Sequence, residues 1–296
     1  MAADRRRRPR RDGATWPLLV PAGGFSLLFV GAPLLGLAAL SLCDWALTRA
    51  RTPAFAGAAN YARMLADEAF WASLGTTLWF TVESVALQLV LGVAIALLFN
   101  RAWRGIGLIR ALFLAPMMIA PLFAGMIWRL VMSEEFGILK QALLALGIDN
   151  PPVWLSDPTF ALQAVIMVSV WQWTAFVVLF MLAGLQTIAP ELYEAASLDG
   201  CGPLRRFWYV TLPMLRPFLV STGLFRCIDG FKTFDLIYAM TGGGPGDSTQ
   251  TISYFVYQQG LNYFDIGYAA TLALTMLVLV VAMSWLLLAA GKRVAA

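Results

Sequence analysis

The sequence is organised around residues 194–213, EAASLDGCGPLRRFWYVTLP, which form a polar gap between two strongly apolar stretches. The Glu-Ala-Ala run at 194–196 favours a helix, and Gly200 ends it, because glycine is the usual residue where a helix stops and turns. We therefore predict a positive φ at Gly200. A second short amphipathic piece follows, and a new helix can begin at Pro213, whose missing N–H costs nothing in a first turn. This predicts a helix–turn–helix against a membrane face.

The spacing within this stretch is specific. Glu-Ala-Ala is followed after three residues by Gly200, and after nine more by Val210, one residue, and Leu-Pro. The pattern resembles the coupling loop of the membrane subunits of binding-protein-dependent ABC importers, with Val210 where isoleucine is usual. The resemblance implies that the loop docks into a separate ATP-hydrolysing subunit. The coupling residues that it implies are Glu194, Ala195, Ala196, Asp199, Gly200, Leu212 and Pro213.

Composition indicates an integral membrane protein. Of the 296 residues, 60% are hydrophobic and 13% are charged, and the mean hydropathy is +0.73, more apolar than a soluble domain needs. Much of the net charge of +4 comes from the arginine run at 5–11, which is more simply a topology signal than a nucleic-acid tail. The chain has no histidine and three cysteines in separate settings, so we predict no catalytic residue, metal site or cofactor.

Six stretches are long and apolar enough to span a membrane, a span needing about 20 residues. They are 17–42, 73–99, 108–132, 160–187, 214–239 and 267–290. Lysine and arginine concentrate on one side, which predicts both termini in the cytoplasm. The sequence thus predicts an all-α polytopic membrane protein. Its parts are a cytoplasmic basic tail (1–16), a first transmembrane helix (17–42) and a five-helix permease core (73–290) with a cytoplasmic loop at 190–213.

The wider resemblance covers roughly residues 73–290 and is strongest to the carbohydrate branch of these importers. It rests on the runs WLSD at 154–157, LAGLQ at 182–186, ELYEAA at 191–196, FKTFDLIY at 231–238 and TGGGP at 241–245. It implies the type I importer permease fold, with the larger membrane subunit of maltose-type transporters most similar. It also implies a bacterial inner-membrane permease for a sugar, a polyol or a glycerol-phosphate-like solute. The implied partners are an ATPase dimer, a second permease subunit and an extracytoplasmic solute-binding protein.

The fifth predicted span carries charges at every third position, at Arg226, Asp229, Lys232 and Asp235. Such charges face a partner helix or a wet cavity, and alternating signs also permit pairing within one helix. A structural ladder and a polar lining for a solute path both remain open. The resemblance implies substrate-path positions at Trp171, Trp173, Phe176, Arg226, Gly230 and Thr233. In the second span, Glu83 and Gln88 are polar and receive no role.

Two other classes are weighed against the importer subunit. A secondary transporter driven by an ion gradient would use Asp229 and Lys232, and inverted repeats would favour it. A membrane-embedded enzyme is the third class, and the sequence shows no catalytic constellation for it. The glycine-rich run at 241–246 lacks the Gly-Lys-Ser/Thr ending of a phosphate loop, so ATP hydrolysis is expected in a partner subunit.

Overall fold

The computed structural model describes residues 16–49, 51–101 and 104–295, and these residues are mainly helical. The basic tail predicted at 1–16 thus lies outside the described residues, except for Trp16. The helices are α1 (Trp16–Ser26), α2 (Ala32–Ser41), α3 (Ala59–Ala66), α4 (Glu68–Phe99), α5 (Ile106–Leu114), α6 (Pro121–Val131), α7 (Ile138–Ala145), α8 (Pro158–Gln186), α9 (Pro190–Leu198), α10 (Pro203–Arg206), α11 (Leu212–Phe231), α12 (Asp235–Met240), α13 (Ile252–Tyr257) and α14 (Ile266–Ala295).

Shorter elements connect these helices. Two antiparallel strands, β1 (Cys43–Asp44) and β2 (Ala54–Phe55), follow α2. A 3₁₀ turn at Ala115–Met118 extends α5, and π-helical turns occur at Leu27–Gly31, Phe207–Thr211 and Gln258–Asn262.

Four helical segments are long and apolar enough to cross a membrane. They are Val20–Ser41, Glu68–Phe99, Pro158–Gln186 and Ile266–Ala289. Each overlaps one of the six predicted spans. Because lipid offers no hydrogen-bond partner, the backbone of a span must satisfy its N–H and C=O groups internally, as these helices do.

The predicted third span, 108–132, is bent and not straight. Its two halves, Ile106–Met118 and Pro121–Val131, meet at a bend of 97°. Ile119 and Ala120 between them have extended backbone, with ψ of 131° and 135°. Pro121 explains the break, because a residue before proline avoids the helical region while proline itself suits a first helical turn. If both halves count as one unit, the described residues contain five crossing segments.

The predicted fifth span, 214–239, is also interrupted. The helix α11 ends at Phe231, Lys232 caps it, and Asp235 begins α12. The four charges therefore do not form a ladder on one helix, because Arg226 and Asp229 lie on α11 while Asp235 lies on the next element. The prediction of six transmembrane helices is not exactly confirmed: α11 is helical but is not among the segments long and apolar enough to count as a span.

The centre of the bundle is the contact between α4 and α8, the most extensive helix pair among the described residues. A Cβ built on Gly92 of α4 would lie 2.4 Å from Cγ1 of Val177 on α8, so only glycine permits this close approach. Helix α11 packs against both. This arrangement brings Arg226 of α11 next to the polar side chains of α4 and α8.

The first span lies at the edge of the bundle. Of the side chains described in it, only Ser41 is buried. This residue fixes the carboxyl end of the span, because its carbonyl oxygen accepts hydrogen bonds from Thr271 Oγ1 (3.0 Å) and Asn60 Nδ2 (3.2 Å). Most of the other described side chains of the span are exposed, while α2 packs against α14.

Candidate functional site: a surface loop and a buried arginine

The loop helix α9 ends at Leu198, and Gly200, two residues later, has a φ of +74°. The Gly200 N–H donates to Ser197 O at 3.1 Å, and the Cys201 N–H donates to Ala196 O at 2.9 Å. These two bonds form a Schellman motif, which satisfies the last carbonyls of a helix and requires a left-handed residue. The predicted positive φ at Gly200 is therefore confirmed.

After the turn the chain forms one continuous helix and not two pieces. Gly202 is extended, Pro203 is the first helical residue, and the backbone stays right-handed helical through the π turn at Phe207–Thr211 into α11. The prediction that a helix begins at Pro213 is therefore wrong. The same rule for proline in a first turn applies ten residues earlier, at Pro203.

Two side-chain contacts hold α9 against this helix. The hydroxyls of Tyr193 and Thr211 are 3.1 Å apart, and Arg206 Nη1 donates to Ser197 Oγ at 3.1 Å. Thr211 is buried, whereas the other three side chains are partly or fully exposed. We call these two contacts, Tyr193–Thr211 and Ser197–Arg206, the clasp. Sequence reasoning missed it, because the partners in each pair come from different helices and no periodicity signals the pairing.

The clasp leaves the predicted coupling residues on the surface. Glu194, Ala195, Asp199 and Gly200 are exposed, and Ala196 is half-buried. Leu198 beside them is 90% exposed, the highest value among the large apolar residues described. Leu212 and Pro213 are half-buried within the continuous helix instead. The exposed end of the loop thus offers a carboxylate and an uncovered apolar side chain.

Arg226 lies buried between α4, α8 and α11, with only 3% of its surface exposed. Its Nε donates to Gln88 Oε1 at 2.9 Å, and its Nη1 forms an ion pair with Asp229 at 2.5 Å. Its guanidinium carbon also lies 4.5 Å from the ring centre of Trp173, a cation–π contact. The Asp229 side chain is 51% exposed, so the pair joins a buried charge to an accessible one.

Gln88 is fixed on its other side. Its Nε2 donates to the carbonyl and the hydroxyl of Ser169 on α8, both at 3.3 Å, and Gln88 is fully buried. The sequence marks Gln88 as a polar residue in a span but gives no partner for it. Its contact with Arg226 joins residues 138 positions apart, which spacing alone does not reveal.

A small cavity of about 100 Å³ opens beside the ion pair. Trp173, Asp229, Lys232 and Thr233 contribute to its wall, with Pro121 from the bent segment. Lys232 and Thr233, which directly follow the end of α11, lie at this cavity together with Asp229. Aromatic, cationic and anionic groups therefore meet at one water-accessible point within the bundle.

The predicted substrate-path residues divide into two groups. Trp173, Thr233 and Arg226 lie together at or directly beside the cavity. Phe176 extends this group, with its ring 6.4 Å from that of Trp173. Gly230 instead faces α4, where an added Cβ would lie 3.4 Å from Cγ2 of Thr81. Trp171 points elsewhere and packs on Trp128, with 5.4 Å between ring centres.

Residues 88–296 match the family described as "Binding-protein-dependent transport system inner membrane component". The sulfoquinovosyl glycerol transport system permease protein SmoG of Agrobacterium fabrum is 36% identical, over 88% of this chain and 85% of that protein. The trehalose/maltose transport system permease protein MalF of Thermococcus litoralis is 35% identical, over 90% of this chain and 89% of that protein. The sn-glycerol-3-phosphate transport system permease protein UgpA of Agrobacterium fabrum is 35% identical, over 78% of each.

The fold is also shared with a solved structure. A chain of a bacterial ABC transporter involved in the import of the acidic polysaccharide alginate superposes with a TM-score of 0.82, over 96% of both chains. The sequence identity is 19%, so this similarity concerns the fold. These relatives are ABC importer subunits, which excludes the ion-gradient-driven transporter. The chain belongs to the family of binding-protein-dependent transport system inner membrane components and is a multi-pass permease subunit of an ABC importer.

Proposed function

We propose that this subunit forms the path for a sugar or a related polyol or glycerol-phosphate-type solute, and that residues 194–213 couple it to a separate ATPase. The relatives named for trehalose/maltose, sulfoquinovosyl glycerol and sn-glycerol-3-phosphate transport support this solute class. The observation that supports the coupling role is the exposure of the carboxyl end of α9. The clasp fixes α9 against the following helix, and Gly200 forms the turn between them.

The walls of the small cavity suit a hydroxylated solute. Trp173 offers an aromatic face for the C–H side of a sugar, and Phe176 and Phe180 continue the aromatic row, with 4.7 Å between their ring centres. Asp229 and Lys232 offer an acceptor and donors for hydroxyl groups. Arg226 points toward Gln88 and Trp173 and does not line the cavity itself. Its proposed role is to add positive charge next to the cavity wall.

The proposed assembly contains an ATPase dimer, a second permease subunit and an extracytoplasmic solute-binding protein. The alginate transporter supports the last of these, since it has also been solved with a pentasaccharide-bound periplasmic protein. The exposed first span and the exposed face of α6, including Phe123 and Leu130, offer apolar surface to the lipid bilayer and the second permease. We propose no nucleic acid as a partner, and this chain needs no cofactor for the proposed role.

Glu194→Lys is the direct test of the coupling loop. A lysine there should repel a basic partner group, and losing one member of a docked charge pair costs about 2–5 kcal/mol. We expect the tagged variant to reach the membrane normally but to co-purify with much less ATPase. Asp149→Lys is the matched control, because Asp149 is an exposed carboxylate in the segment between α7 and α8, outside the loop. Equal ATPase retention by both variants would remove the loop from the docking surface.

Both termini are proposed to lie in the cytoplasm, on the side of the Glu194–Pro213 loop. In a variant lacking Cys43, Cys201 and Cys227, a cysteine at Asp149 should react with a membrane-impermeant maleimide in spheroplasts. A cysteine at Arg205 should react only after the membrane is opened. Both positions are exposed, so accessibility within the protein does not differ. Labelling at Arg205 in closed spheroplasts would reverse the topology.

A further inference from the structure

A cavity of about 550 Å³ lies between the carboxyl end of α4 and the loop segment Tyr193–Thr211, and the roles proposed above do not use it. One wall comes from the membrane-spanning part, with Leu97 of α4 and Leu185 of α8. The other wall comes from the loop, with Leu204 and Phe207. The cavity therefore lies where the apolar spans end and the polar loop begins.

The rim of the cavity is basic. Arg101 contributes to it from the end of α4, and Arg206 contributes from α10. No acidic residue is among the described residues that line the cavity. The ion pairs found in the described part of the chain are Arg63–Asp265 and Arg226–Asp229, so neither rim arginine has a carboxylate there within 4.0 Å.

Arg206 also keeps hydrogen-bonding capacity that its contacts with the described residues do not use. Arg206 uses Nη1 for Ser197, and a guanidinium carries five N–H donors. The hydroxyls of Tyr193 and Thr211 add neutral hydrogen-bonding groups to the same wall. A ligand with an anionic head and an apolar remainder would satisfy both halves of the cavity, because planar guanidinium groups match phosphate oxygens well.

We propose that this cavity binds an anionic phospholipid, with the phosphate between Arg101 and Arg206 and the first acyl carbons against Leu97 and Leu185. Basic pockets between spans at the cytoplasmic face are a known setting for such head groups. The surface beside the cavity also suits the level of the lipid head groups. Trp208 and Tyr209 are 56% and 77% exposed there, and aromatic residues concentrate at the interface between membrane and water.

The bound lipid would add a contact between the spanning bundle and the loop. Leu97 and Arg101 belong to the membrane-spanning bundle, whereas Tyr193 and Arg206 form the clasp that supports α9. A phosphate between the two arginines ties the loop to α4. We therefore expect the lipid to stabilise the loop in the position seen here, so that the lipid composition of the membrane affects coupling.

The test compares two double variants of the full transporter. Arg101→Gln with Arg206→Gln removes the rim charges. Arg104→Gln with Arg205→Gln removes the same charge from exposed arginines nearby that do not line the cavity. Native mass spectrometry after delipidation measures retained phosphatidylglycerol. We expect roughly 30-fold weaker retention in the first double variant, the factor that corresponds to about 1 kcal/mol for each of two arginines. The second double variant should show little change, because its arginines do not line the cavity.

Three results would overturn the proposal. The first is equal loss of phosphatidylglycerol in both double variants, which would indicate a diffuse charge effect. The second is displacement of the lipid by millimolar inorganic phosphate, which would indicate a simple anion site. The third is unchanged lipid retention with loss of the ATPase from the Arg101/Arg206 variant, which would assign the cavity to the partner. Lipid retention is measured without transport, so this outcome is independent of the proposed import function.

Discussion

Gly200→Val is expected to abolish solute-stimulated ATP hydrolysis while leaving the subunit in the membrane at a normal level. Gly200 has a φ of +74°, and nothing lies within 4 Å of a Cβ built on it. The cost is therefore a backbone cost: a β-branched residue in the left-handed region is strained by about 1–3 kcal/mol. The chain can avoid this strain by opening the Schellman turn. Opening it would change the angle between α9 and the helix that begins at Pro203.

Gly200→Asn separates the backbone effect from the loss of glycine itself. Asparagine tolerates the left-handed conformation and is the common alternative to glycine at this position of a helix end. The asparagine variant should keep most of the ATPase activity and most of the bound ATPase. If valine and asparagine are equally active, the turn geometry does not matter for coupling. If both are inactive, a side chain of any kind obstructs the docked partner.

Gln88→Leu is expected to have the second large effect, on both stability and transport. The side chain of Gln88 accepts a hydrogen bond from Arg226 Nε, and both residues are almost fully buried. Leucine leaves the guanidinium without this acceptor, and an unsatisfied buried group that is charged costs about 3 kcal/mol or more. Thermal unfolding of the purified transporter and solute uptake by proteoliposomes measure the two consequences.

A double variant distinguishes a structural role from a role in transport. Removing both partners, as Gln88→Leu with Arg226→Met, should recover most of the lost stability, since no buried cation is left unpaired and only the Ser169 hydroxyl still lacks its partner. Asp229 stays solvated because half of its side chain is exposed. Uptake should remain low, because the charge behind the cavity wall is gone. Restored uptake would make the network structural, and unrestored stability would mean that Gln88 acts through another contact.

Local chemistry made part of this molecule predictable from sequence. The turn at Gly200 follows from one glycine after a helix-favouring run, and it is where the sequence places it. The spans α4 and α8 follow from long apolar stretches without internal proline. Each of these features depends on residues close together in the chain, which is why periodicity and composition are sufficient.

Features that depend on distant residues were less accessible. The signal for the bend at Ile119–Ala120 is present in Pro121, but the apolar composition of 108–132 masks it. Helix α11 ends at Phe231, so Lys232 and Asp235 lie outside it. No glycine or proline at 232–235 indicates this end in the sequence. Two partners of Arg226 lie on other helices, namely Gln88 on α4 and Trp173 on α8. These contacts are defined only once the bundle is packed.

The continuity of the helix from Pro203 to Phe231 has a mechanical consequence. Pro203 borders the loop and Arg226 lies behind the cavity, and at 1.5 Å per residue they are at most about 35 Å apart along this helix, which contains Pro217. The π turn at Phe207–Thr211 inserts an additional residue into that axis, and each residue of a helix corresponds to a rotation of about 100°. If the loop docks on an ATPase as proposed, a rotation applied there would reach Arg226 through this one helix, and the π turn would set the angle between the two sites.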